Sequence, residues 1–177
     1  MNLNEQPLSA DYKYRGRIIN LRVDTALLPN GSSATREVVE HPGGVAVFAM
    51  DGQGRVALVR QFRYPLGEVT LELPAGKLEP GEDPRASGLR ELAEETGLTP
   101  GTFLPLGSIA SSPGILAERI HLFFARDLVQ GEARPDDGEF VETYQDLLDM
   151  ARRGEIQDGK TLAGILKASF LLEAPQT

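Results

Sequence analysis

The sequence predicts an α/β fold: a sandwich around a mixed β-sheet, with an N-terminal β-hairpin subdomain ahead of it. Three observations predict it. Short β-branched and aromatic runs recur along the first two-thirds of the chain, one well-capped helical pattern interrupts them at 84–96, and two more helical patterns follow near the end. At 177 residues the chain is long enough for one domain with a small appendage. Residues 1–40 read as the hairpin segment and 41–177 as the main domain.

Taken in order, residues 1–10 are polar and read as a loose tail. Residues 12–28 (YKYRGRIINLRVDTALL) and 35–40 (TREVVE) flank the turn Pro29-Asn30-Gly31 and form the predicted hairpin. Residues 45–50 (VAVFAM) and 55–62 (RVALVRQF), joined by Asp51-Gly52-Gln53-Gly54, read as a second hairpin. Residues 69–74 (VTLELP) alternate apolar and polar and stop at Pro74. Asp83 as cap, Pro84 at the first helical position and Gly97 beyond the end bracket the helix at 84–96. Strands are expected at 103–110, 119–126 and 139–144, and helices at 145–153 and 160–172.

Composition excludes several function classes. Apolar residues make up 41% and charged residues 25%, as in ordinary globular proteins. The absence of cysteine removes disulfides, thiolate metal sites and cysteine nucleophiles. With only His41 and His121 present, a histidine-rich zinc site is also excluded. Eighteen Lys+Arg against 26 Asp+Glu give a net charge of −8, so no broad basic field exists to bind nucleic acid. No apolar run approaches the ~18 residues of a membrane span. The first residues lack the apolar core of a secretory signal, so a cytoplasmic location is expected. Any metal is therefore a hard cation held by oxygens.

The chemistry concentrates in residues 76–98, GKLEPGEDPRASGLRELAEETGL. At ~100° per residue, Ala86, Leu89, Leu92, Ala93 and Thr96 fall on one face and Arg90, Glu91, Glu94 and Glu95 on the other. Gly88 lies beside the carboxylates on this wheel, leaving room for a loop or an ion. Glu79 and Glu82 come from the preceding Gly-rich loop. Glu91 and Glu95 are i,i+4 neighbours of like charge, a pairing that destabilises a helix unless something positive compensates. Two readings fit: a solvated acidic face, or carboxylates gathered around a hard divalent cation, Mg²⁺ or Mn²⁺.

Gly76, then Glu82 after five residues, then Arg90-Glu91-Leu92-Ala93-Glu94-Glu95-Thr96-Gly97-Leu98 after seven more, resembles the complete Nudix box of the Nudix hydrolases. Nine specified positions match, a coincidence on the order of 10⁻⁹ per start position by background composition. Val59-Arg60-Gln61-Phe62-Arg63, Leu71-Glu72-Leu73-Pro74-Ala75-Gly76 and Ser112-Pro113-Gly114 resemble the ADP-ribose pyrophosphatase branch, as does Pro113 sixteen positions beyond Gly97. The likeness runs from about Tyr14 to the last helix.

The resemblance implies an α/β/α sandwich and Mg²⁺-dependent hydrolysis of ADP-ribose to AMP and ribose 5-phosphate, with Mn²⁺ as a substitute. Glu91 and Glu95, with the Ala75 carbonyl, would be metal ligands. Glu94 would be a weaker or shared ligand, Glu82 would support them, and Arg90 would pair with these glutamates. Asp136-Asp137-Gly138-Glu139-Phe140-Val141-Glu142 resembles the loop that carries a general base, with Glu139 at its position. Arg63 is the expected phosphate contact and Glu72 a ribose or adenine contact. Ser112, Gly114 and Glu118 resemble the loop over the terminal ribose. Glu37, and with a weaker claim Ile18, resemble nucleoside contacts supplied across a homodimer. No tryptophan exists to sandwich adenine, leaving Tyr12, Tyr14 and Phe62 for stacking. Alternatives within this resemblance are another nucleoside diphosphate sugar or dinucleotide, such as GDP-mannose or FAD, and a non-catalytic ADP-ribose sensor.

Overall fold

Strand β4 (Gly44–Ala49), GVAVFA, is buried at every residue, and no polar side chain interrupts it. Such a strand must be covered on both faces and paired on both edges. In the computed structural model, which describes residues 2–135 and 137–173, this is its situation. It pairs antiparallel with β7 (Ala75–Lys77) and parallel with β9 (Arg119–Gln130), which makes the sheet mixed. β8 (Leu98–Ala110) completes the order β7-β4-β9-β8. Val45, Val47 and Ala49 pack with Leu92 of α1 (Pro84–Thr96), whereas Ala46 and Phe48 pack with Ile165 and Ala168 of α3 (Gly159–Glu173). The period-2 alternation of one strand thus separates two helical layers.

A second sheet has the order β10-β5-β6, from β5 (Val56–Arg63), β6 (Glu68–Glu72) and β10 (Phe140–Tyr144). The predicted hairpin of 45–50 with 55–62 is therefore not formed. The Asp51 turn exists, with its carboxylate accepting from the Gln53 and Arg55 N–H groups at 2.9 Å each. Beyond the single bridge Met50↔Val56 the strands part, because β7 and β9 occupy both edges of β4. Short α2 (Leu147–Arg152) packs with α3 in this layer.

Helix α1 starts and stops where the sequence predicts. Asp83 accepts from the Arg85 and Ala86 N–H groups at 3.0 Å each, and Gly97 turns at φ 72° while donating to Ala93 O. Its buried face differs from the wheel. Ser87, Gly88, Leu92, Glu95 and Thr96 are buried and Ala86 is exposed. Gly88 offers no opening to an ion: a Cβ there would lie 3.0 Å from the Phe103 ring and 3.2 Å from Phe123, whose rings stack at 4.7 Å. Packing of the helix backbone onto these aromatics rotates Glu95 inward.

The chain divides into two compact units, Met1–Gly43 with Ala110–Arg119, and Gly44–Ile109 with Ile120–Thr177. The first contains three antiparallel strands: β1 (Gln6–Arg15), β2 (Asn20–Leu27) and β3 (Ser33–Glu40). The predicted hairpin thus gains a third strand, and residues 6–10 of the expected loose tail are part of it. Its break is at Gly16, where a Cβ would lie 2.5 Å from Tyr14 Cε1 and the N–H donates to Ile19 O at 2.9 Å. All ten β1 side chains are exposed; main-chain pairing with β2 holds this strand, together with Tyr12 Oη donating to Glu40 Oε1 at 3.1 Å. Residues 110–119 join the unit through β3: Val39 N–H donates to Ile115 O at 2.8 Å and Ala117 N–H to Val39 O at 2.9 Å. No helix among the described residues is long and apolar enough to cross a membrane.

Candidate active site

Arg90, on the outer side of α1, organises the carboxylates of the box. Its guanidinium donates to both oxygens of Glu82 (2.9 and 3.0 Å), to Glu91 at 2.8 Å, to Glu94 at 3.1 Å and to Ser87 Oγ at 3.1 Å. The fork of five donors suits this task, which a lysine could not perform. Arg90 holds the Glu82 carboxyl at about 2, and the carboxylates in turn raise the pKa of Arg90 itself.

Glu91 and Glu95 occupy a different environment. Burial raises the Glu91 carboxyl, against the pull of Arg90. Glu95, only 8% exposed, is pushed up to about 8, first by burial and then by the nearby charge of Glu139. The Ala75 N–H donates to Glu95 Oε2 at 3.0 Å. Gly76 makes room for the other carboxylate, since a Cβ there would lie 1.9 Å from Glu91 Oε1. Among the described residues no three acidic or imidazole side chains converge on one point. Arg90 pairs with Glu82, Glu91 and Glu94, but the charges of Glu139 and Glu91 still act on buried Glu95, which leaves a surplus of negative charge there. A hard divalent cation fits this surplus: the donors are carboxylates and main-chain groups, and the glycine leaves the Glu91 carboxylate unobstructed.

Beside this acidic group stand two cations. Arg63, at the end of β5, forms a bidentate pair with Glu72 of β6, Nε to Oε1 at 2.7 Å and Nη2 to Oε2 at 2.6 Å. Thr70 Oγ1 donates to Glu72 Oε1 at 2.7 Å, and Lys160 from the first turn of α3 contacts Oε2. Burial would raise the Glu72 carboxyl, but Arg63, Lys160 and Thr70 bring it down to about 2. At 2% exposure and fully hydrogen-bonded, Glu72 offers no open face to a ribose hydroxyl. Glu139 is half-buried and acts electrostatically on both Arg63 and Glu95, which places it among these groups. Asp136, from the same loop, lies outside the described residues.

The strand that delivers Ala75 and Gly76 is pinned by α3. Thr161, completely buried, accepts the Leu73 N–H at 2.8 Å and donates to Asp158, which caps the helix. A Cβ at Gly164 would lie 2.4 Å from Leu73 Cδ1. Lys160 and Thr161 were missed in the sequence, where 158–160 reads only as a helix start. A signal existed: a lysine in the first turn opposes the helix dipole and needs a specific anion.

The remaining predicted contacts belong to the first unit. Ile18 is exposed in the turn after β1, and Glu37 is exposed on β3 opposite Val23. The Ser112 carbonyl accepts from Ile115 and Leu116 N–H at 3.1 and 2.9 Å, forming a tight turn in which Gly114 has open space around it. Glu118 accepts from Ser111 Oγ and lies 3.2 Å from His41 Nδ1.

Buried Glu95 and partly buried Glu91 on a capped helix, set against a glycine-bearing strand in a helix–sheet–helix sandwich, form an acidic group suited to a hard divalent cation. The family comparison agrees: residues 40–164 match the NUDIX domain, and the chain belongs to the Nudix hydrolases. Residues 5–39 match the nucleoside diphosphate sugar hydrolase N-terminal domain. The chain is 39% identical over 170 residues to the ADP-ribose pyrophosphatase of Bacillus subtilis (strain 168), covering 93% of this chain and 92% of that protein. It is 42% identical over 167 residues to the methanol dehydrogenase activator of Bacillus methanolicus, covering 91% and 90%. Among solved structures, one titled as an ADP compounds hydrolase shares the fold with a TM-score of 0.84 at 17% identity, covering 98% and 97% of the two chains.

Proposed function

We propose that this protein hydrolyses the diphosphate of ADP-ribose to AMP and ribose 5-phosphate with Mg²⁺, Mn²⁺ serving as a substitute. The observation that carries the reading is the pair of buried Glu95 and partly buried Glu91, the latter against Gly76, in a chain that aligns over 93% of its length with an ADP-ribose pyrophosphatase. With Glu94 as a weaker or shared ligand, Glu91, Glu95 and the Ala75 carbonyl would hold the cation. When bound, it supplies charge neutralisation and Lewis acidity at the diphosphate.

The chain's own residues do the rest. Arg90 fixes Glu82, Glu91 and Glu94 so that Glu91 and Glu95 stay in register. Arg63 presents its guanidinium to a phosphate, where a planar fork is well matched. Glu139 takes the proton of the attacking water as its oxygen bonds to phosphorus. The bridging P–O bond breaks and the two monophosphates leave. Positioning and charge stabilisation are the main demands of such a substitution. By likeness to the family, Ser112, Gly114 and Glu118 would close over the terminal ribose, and Glu37, with Ile18 as a weaker candidate, would contact the nucleoside across the homodimer. The all-exposed β1, carrying Leu8, Tyr12 and Tyr14, supports assembly as a homodimer through the N-terminal strands.

Incubation with ADP-ribose and Mg²⁺, followed by chromatography, tests the reading: AMP and ribose 5-phosphate are expected. A higher kcat/KM for GDP-mannose or FAD would reassign the substrate, and tight binding of ADP-ribose without turnover would make the protein a sensor. Sedimentation at micromolar concentration is expected to show a dimer of the 19.2 kDa chain, and a monomer would overturn the dimer assignment.

A further inference from the structure

Glu72 has two oxygens and four donors. Arg63 Nε and Thr70 Oγ1 reach Oε1, and Arg63 Nη2 and Lys160 Nζ reach Oε2. The two cations are unequally placed. Arg63 is 41% exposed at the side chain, whereas Lys160 is 11% exposed and also lies 3.1 Å from Asp158. Helix α3 is fixed at this end by Thr161 on the Leu73 N–H and by the close approach of Gly164 to Leu73, so Lys160 stays at Glu72. A carboxylate 2% exposed and stripped of every cation is strongly destabilising, which would lock a single partner in place. A second, inner cation removes that lock.

We infer that Lys160 is a positioning residue: it keeps Glu72 paired while Arg63 turns its guanidinium from Glu72 to a phosphate of the substrate. The inference rests on the reading of Arg63 as the diphosphate contact. Thr70 completes the arrangement by holding the oxygen that Arg63 Nε releases. The carboxyl depressed to about 2 agrees with an anion that stays ionised whichever cation leads. Without Lys160, Arg63 becomes the only cation bonded to Glu72, and substrate has to compete with a buried carboxylate for it.

Steady-state hydrolysis of ADP-ribose with Mg²⁺ by the full chain tests this with R63A, K160M, K160R and the double variant K160M/E72Q. K160M is expected to raise KM about tenfold or more while kcat stays within about twofold, the pattern of lost ground-state and transition-state binding alike. K160R is expected to stay close to the parent. In K160M/E72Q both buried charges are gone and Arg63 is free, so KM returns to within about threefold of the parent. A purely structural lysine would not be rescued by neutralising Glu72. If K160M does not fold, K160Q with and without E72Q makes the same comparison. An unchanged KM in K160M, or a double variant as impaired as the single one, overturns the role of Lys160. An R63A variant with the parent KM overturns the Arg63 reading itself, and this inference with it.

Discussion

A Cβ on Gly76 would lie 1.9 Å from Glu91 Oε1 and 2.4 Å from Oε2. The main chain of β7 and the carboxylate of α1 therefore share a space that no side chain can enter. Gly76→Ala must push Glu91 away, and since Glu91 is also held by Arg90 at 2.8 Å, the guanidinium network moves with it. The fold has little stake in this contact. The expected outcome is a loss of about 10²-fold in kcat/KM, the scale of a misplacement near 1 Å. A thermal melt within a few degrees of the parent is expected alongside it. Activity retained within twofold would show that Glu91 need not occupy this position.

Glu95→Gln separates charge from shape. The Ala75 N–H keeps an acceptor, but the buried negative charge is gone. Turnover is expected to fall by about 10²–10³-fold, the scale of losing one preorganised electrostatic contact. The stability effect has the opposite sign. The folded carboxyl is raised to about 8, so its contribution is complete below the ordinary carboxylate range and is lost as pH rises through about 8. With a chelator present, the parent's Tm should decline from about pH 5 to pH 8 more than that of E95Q. Added Mg²⁺ should restore the parent at pH 8 and leave E95Q unchanged. Parallel melting curves across that range would contradict the buried, cation-deprived carboxylate.

Acid has its own signature at Glu72. Its carboxyl sits at about 2 in the folded chain, so its contribution is complete above the ordinary range and is lost as pH falls through about 2. Chemical unfolding of the parent between pH 5 and 2 should show a steep loss, and E72Q should lack part of that slope. An identical slope in both proteins would mean that Arg63 and Lys160 do not hold the anion in solution.

What the sequence makes legible follows from the range of each interaction. Helix α1 was readable because Asp83, Pro84 and Gly97 act within one turn of where they stand. The acidic group was readable because its members share that helix, although the wheel put Glu95 outside. The direction of a helix face is decided by what it packs against, here Phe103 and Phe123, and those rings are remote in sequence. The first half of β1 reads as tail, although Leu8, Ala10, Tyr12 and Tyr14 alternate along the strand, because all its side chains are exposed and the residues before it are polar. The parting of β4 from β5 depends on β7 and β9 taking both edges, which no local pattern encodes. Lys160 meets Glu72 across 88 positions, and only the fold brings them together.

Thr161 shows how far support for the site extends. Its hydroxyl accepts the Leu73 N–H at 2.8 Å and donates to Asp158, in a position with no solvent access. Thr161→Val keeps the volume and removes both bonds, leaving the Leu73 N–H without an acceptor two residues before Ala75. An orphaned buried donor costs about 1–3 kcal/mol, so urea unfolding should show a loss of that size with an unchanged m-value. Because Leu73 leads directly into the strand that pairs Ala75 with Glu95, kcat should fall as well. Thr161→Ser, which keeps the hydroxyl, should recover most of both losses. If Thr161→Val matched the parent in stability, the Leu73–Thr161 bond would be absent in solution, and α3 would fix the Ala75 strand through Lys160 and Gly164 alone.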